Sequence, residues 1–185
     1  MALIDELAEQ YERHIAAPWQ RNLAGAQRII FVVYPKEDER RLKAKLKEFE
    51  HRTKAAGHGW HELDFTDAFS EWMVADEYRD RYFKRPAQLA LKYEREFKPF
   101  CVVRLREALA QQEVTEETVL AVYGVAGLYG FTFLHEVLKT VEPEIRGRVV
   151  VFFPGSYDQN TYRMLDAREG WNYMAIPITG IASHQ

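Results

Sequence analysis

The sequence predicts a single α/β domain of about five strands in a mostly parallel sheet, with helices on both faces. Two observations carry this. Short β-branched and aromatic runs recur along the chain, at Arg28–Tyr34, Trp60–Phe65, Thr118–Tyr123, Val149–Phe153 and Tyr173–Ile178. Between them lie longer segments with apolar residues at helical spacing, and such alternation places strands side by side through helical crossovers. The 185 residues suit one core, expected to span 1–185 with a helix over 1–17 packed on it.

Ile4, Leu7, Tyr11 and Ile15 mark a helix over about residues 2–16, stopped by Pro18. Arg28–Tyr34 shows no polar alternation, as expected of a strand covered on both faces. Leu42, Leu46 and Phe49 set one apolar stripe in a charged helix over 37–56, closed by Gly57 and Gly59. Residues 66–112 are predicted to hold two or three helices divided at Pro86 and Pro99. Leu128–Val141 reads as a helix, with Phe131, Leu134, Leu138 and Val141 on its apolar face. No internal repeat or linker interrupts the chain.

Composition limits the function classes. Apolar residues make up 47% and charged residues 29%, and 25 basic against 28 acidic residues leave a net charge of −3. That balance offers no general affinity for nucleic acid. Cys101 is the single cysteine, so no intrachain disulfide can form. Asp5 and Glu6 break the N-terminal apolar run, and no window approaches the roughly 20 apolar residues of a membrane span. The expected location is cytoplasmic.

Ligands of parallel sheets bind beyond the carboxyl ends of the strands. Gly124-Val-Ala-Gly127-Leu-Tyr-Gly130 follows a strand and precedes a helix, the context of a phosphate cradle. Its spacing is neither that of a dinucleotide fingerprint nor that of a phosphate loop, and a tight turn needing glycines explains it better. Pro154–Asn160 reads as a turn or binding loop, in which Ser156 or Asp158 would cap a short following helix. Ser156 lacks a hydrolase elbow and a neighbouring histidine. His58 and His61 sit at a loop-to-strand junction, a poor frame for a metal pair, and no metal site or cofactor is expected. The segment 69–100 interleaves Phe69, Trp72, Tyr78, Tyr82, Phe83, Tyr93, Phe97 and Phe100 with Arg79, Arg81, Lys84, Arg85, Lys92 and Arg95. That mixture fits a protein interface better than a single-strand nucleic-acid platform.

Val149-Val-Val-Phe-Phe-Pro-Gly-Ser-Tyr-Asp158, Asn160-Thr-Tyr-Arg163-Met-Leu-Asp166, Gly170-Trp-Asn-Tyr173 and Ile176-Pro177 together resemble the BrxB family of bacteriophage-exclusion (BREX) defence operons. The resemblance covers roughly residues 118–178. It implies an adaptor without a reaction of its own, with a PglZ-type phosphatase-fold protein as partner and nucleic acid reached only through the complex. It also implies a nucleotide-hydrolase-like core without its phosphate loop, in keeping with Pro35-Lys36-Glu37-Asp38 after the first strand. Matching positions nominate Asp158, Asn160, Arg163, Asp166, Trp171 and Tyr173, with Gly124 and Gly127, as an interface or ligand edge. The alternative is a nucleotide- or phosphate-binding regulator that does not hydrolyse its ligand.

Overall fold

A computed structural model describes residues 2–75, 84–85, 87 and 92–180. Five parallel strands form the central sheet: β1 (Ile29–Tyr34), β2 (Gly59–Asp64), β3 (Thr118–Tyr123), β4 (Arg148–Asp158) and β7 (Ile176–Ile178). Their order is β2-β3-β4-β1-β7. Two further strands, β5 (Thr161–Met164) and β6 (Trp171–Asn172), pair antiparallel off the end of β4.

All six residues of β1 are buried, as the unbroken apolar run requires of a strand covered on both faces. Its side chains alternate. Ile29, Phe31 and Val33 enter one core and Ile30, Val32 and Tyr34 the other. The second core is closed by α1 (Leu3–Ala16), α2 (Glu39–Ala44) and α3 (Leu46–Ala55). Tyr11 of α1 is fully buried there against Phe49, and its hydroxyl meets Thr53 Oγ1 at 2.5 Å. The first core is closed by α4 (Ala68–Ala75), α5 (Lys98–Leu109) and α6 (Leu134–Val141).

Several elements differ from the sequence expectation. The 37–56 helix is divided: a 3-10 turn over Lys36–Asp38 precedes α2, and Lys45 leaves helical geometry before α3. Pro99 does not divide helices. It is the second residue of α5, which continues from a π turn at Tyr93–Phe97. The π turn marks a break in the regular α-helical ladder just where Pro99 removes an N–H. The helix expected from Leu128 begins six residues later, at Leu134, after a 3-10 turn at Val125–Leu128. Gly130, at φ +81°, lies in the connection between them. The last strand shrinks to three residues. Pro177 cannot donate to a ladder, and accordingly β7 is an edge strand held only by β1. Pro86, Tyr78, Tyr82, Phe83, Arg79 and Arg81 lie outside the described residues. Of the described aromatics of that segment, Trp72 and Phe97 are buried, and Phe69 stacks on Phe131 at 3.8 Å and sits edge-on to Phe97.

Cys101 is buried within α5, and burial pushes its thiol up to about 12. A disulfide reagent at pH 8 is expected to leave the native thiol essentially unmodified and to react fully once denaturant unfolds the chain. Rapid modification of the native protein would place Cys101 at the surface.

Candidate functional site

The connection from β1 to β2 runs over the face of α2 and α3, while those from β2 to β3 and β3 to β4 run over the face of α4 to α6. Direction therefore reverses between the adjacent strands β1 and β4, whose carboxyl ends frame the crevice where such sheets hold ligands. This chain fills that crevice with itself. The segment read as a turn, Pro154 to Asp158, continues β4 beyond the sheet and turns back through Gln159 and Asn160 into β5. No helix follows for Ser156 or Asp158 to cap.

The hairpin has a local cause. Asp158 faces Thr161 across a two-residue loop in which Gln159 and Asn160 both have positive φ, at 47° and 66°. That is the hairpin turn whose twist matches its strands, and Asn is among the residues that adopt it. Tyr157 donates to Asn160 Oδ1 at 3.0 Å. Alternation then sorts the strand: Tyr162 and Met164 are buried, while Thr161 and Arg163 are half-buried. At the base, Leu165 N–H donates to Pro154 O at 2.8 Å, and Leu165 itself takes φ +54°. This turn sets Asp166 against Lys36, two residues past the end of β1, in an ion pair across the crevice.

The nominated residues thus fall into three places. Asp158 and Asn160 form the exposed hairpin tip, and Arg163 and Asp166 lie along its outer side. Trp171 and Tyr173 turn inward. Trp171 packs 5.4 Å from Tyr162, 5.6 Å from Phe153 and 4.6 Å from His135, and Tyr173 lies 6.0 Å from Phe31. The Tyr173 hydroxyl donates to Glu142, and burial together with that carboxylate holds the phenol far above its ordinary range.

Gly124 and Gly127 lie apart from these, after β3. Gly124 has φ +70°, and a Cβ there would come within 2.3 Å of Thr66 Oγ1 and 2.4 Å of Asp64 Oδ1. A Cβ on Gly127 would come 2.7 Å from Phe65 O. The turn is therefore packed against the end of β2. Asp64 Oδ1, which accepts from Thr66 N at 2.8 Å, places a carboxylate where a phosphate would have to approach.

A cleft of about 590 Å³ opens beside Trp171, between the Tyr129–Leu134 connection and the segment following β5. Sequence reasoning nominated Trp171 but placed Tyr129–Leu134 in a helix, with Phe131 and Leu134 on its apolar face, and so missed the cleft. Tyr129 and Phe133 remain 46% and 56% exposed on its rim, while Tyr93, Phe131 and Met164 line it. Arg168 and Glu169 supply charge. Thr132, a lining residue, is buried with no partner for its hydroxyl, and Nδ1 of His135, stacked on Trp171, is likewise unpartnered. Burial holds the His135 imidazole below its ordinary value, so it is neutral near pH 7. An apolar cleft with a few polar atoms is suited to taking up an apolar group and hydrogen-bonding it, rather than to moving protons. No group of three or more His, Cys, Asp or Glu among the described residues could hold a metal ion. Compared with known proteins, the chain matches no family model, no curated protein and no solved structure.

Two substitutions separate the structural roles. Gly124→Ala is expected to destabilise by about 2–4 kcal/mol, combining left-handed strain with the clash on Thr66 and Asp64. Trp171→Ala is expected to cost about 2–4 kcal/mol, towards the lower end for large aromatic truncations because the ring is only half-buried. Denaturant titration of both variants checks these values, and an unchanged midpoint for Trp171→Ala would make that ring a surface group rather than a packing one.

Proposed function

We propose that this protein is a non-catalytic adaptor that works by binding another protein through the aromatic cleft beside Trp171. The observation that carries this reading is the cleft rim. Tyr129 and Phe133 expose large aromatic surface next to two buried polar atoms without partners, the composition of an anchor pocket rather than of a reaction centre. Rim residues Arg168 and Glu169 give such a pocket a charged border, as protein interfaces have. The resemblance of residues 118–178 to BrxB supports a reading in which this role belongs to a BREX defence complex, with a PglZ-type phosphatase-fold protein as the partner. Hairpin residues Asp158, Asn160, Arg163 and Asp166 extend the same end of the molecule and supply further polar contacts. Its setting is the cytoplasm. Among the described residues, no helix is long and apolar enough to cross a membrane.

Co-expression with the phosphatase-fold protein, followed by size-exclusion chromatography, tests the proposal. Phe133→Ser removes an exposed ring, so the fold should persist while the complex weakens about 30-fold, the scale of a single hot-spot anchor. Lys47→Glu, an exposed change on α3, is the control and should leave association intact. Independent elution of the wild-type proteins at micromolar concentration would remove the partner. Equal binding by the Phe133 variant would move the interface away from the cleft.

A further inference from the structure

The opposite end of the sheet carries a second concavity, built from residues that no part of the adaptor reading uses. It has a volume of about 580 Å³ and lies where β1, β3 and β4 begin. Four arginines line it: Arg21 from the loop after α1, Arg28 just before β1, and Arg146 and Arg148 at the entry to β4. Only Glu116 and Glu117 oppose them, so four guanidinium charges against two carboxylates leave two positive charges uncompensated.

Three of the guanidiniums, those of Arg28, Arg146 and Arg148, are held in place by backbone carbonyls. Arg148 is 6% exposed, and donates to Gly147 O at 3.1 Å and to Gln20 O at 2.9 Å. Arg28 donates to Arg146 O at 2.7 Å, and also to the Arg21 and Leu23 carbonyls. Arg146 donates to Val114 O. None of the four has a carboxylate within ion-pairing distance among the described residues. Carbonyl dipoles orient these groups without neutralising them, and each guanidinium carries five N–H donors, more than these contacts use. Burying an arginine without a carboxylate in contact is costly, and in Arg148 burial and the neighbouring Arg28 outweigh the attraction of Glu117, which suits a site whose counter-ion comes from outside. Trp19 and His58 complete the wall. They stack at 3.7 Å, and Arg148 lies 4.8 Å from the Trp19 ring centre. Glu117 lies 3.5 Å from His58 Nδ1, and its charge also acts on Arg148 without forming an ion pair with it.

We propose that this pocket binds a doubly charged phosphate group, held by Arg28, Arg146 and Arg148 and closed by Arg21. A phosphate matches the charge left over and presents several acceptor oxygens to forked donors, which a monocarboxylate does not. Binding here ties the Pro18–Ala24 loop to the start of β4 and therefore stabilises the fold by mass action.

Titration calorimetry with inorganic phosphate and, separately, with adenosine monophosphate provides the test, with sodium chloride of equal ionic strength as the blank. Saturable binding in the millimolar range or tighter is expected, together with a rise in melting temperature that chloride does not give. Equal affinities assign recognition to the phosphate group alone, and tighter monophosphate binding assigns it to the ester. Arg21→Gln and Arg146→Gln change exposed side chains and should fold, yet each should weaken binding about tenfold or more. Arg148→Gln, should it fail to fold, leaves those two variants to decide. Absence of saturable heat with both probes would overturn the proposal, as would affinities unchanged in both exposed variants. Neither result bears on Phe133 and its cleft.

Discussion

Strand β1 pairs with β4 along its whole length and with β7 at Ile30–Val32, and its six side chains alternate into the two cores on either side of the sheet. Every other element is arranged to keep water from it. One face needs α1, α2 and α3; the other needs α4, α5, α6 and the β4–β5 hairpin. Phe31 shows how tightly the arrangement is coupled. It lies within about 6 Å of Phe153, Tyr162, Trp171 and Tyr173, four rings contributed by the chain's last third. The strand that forms early in the sequence is completed only when residues more than a hundred positions later fold over it.

That dependence explains the hairpin. A parallel sheet with a reversal between β1 and β4 leaves a crevice at their carboxyl ends, and here β4 overruns the sheet, folds back and roofs it. Lys36, two residues past the end of β1, is taken by Asp166. The space a ligand would occupy in the ordinary use of such a sheet is given to packing and to an internal ion pair. The two concavities described above lie elsewhere, one beside Trp171 and the other at the arginine-lined opposite end of the sheet.

The sheet and the first helix were legible because each has one dominant local signal. Unbroken apolar runs marked β1 and β3, and Ile4, Leu7, Tyr11 and Ile15, spaced at three or four residues, are all buried in α1. The hairpin was not, since Pro154-Gly155 reads locally as a stop while its role is set by Tyr34 pairing opposite Pro154 and by Leu165 bonding to Pro154 O. Gln159-Asn160 is also a weaker turn signal than Asn-Gly, though the alternation of Tyr162 and Met164 with Thr161 and Arg163 was available to read. The arginine cluster had no sequence signature at all. Arg148 and its partner Gln20 are separated by 128 residues, and only the strand order brings them together.

Both borders of the sheet resist extension. On one side β7 has three residues, one of them a proline without an N–H to offer. On the other, β2 carries His61, Glu62 and Asp64, charged or ionisable groups that disfavour the approach of a like strand. Intermolecular backbone ladders therefore have no good template in this fold. A peptide cannot recruit it by adding itself as a sixth parallel strand, and destabilised molecules have little means of zipping together through the native sheet. Recognition is left to side chains.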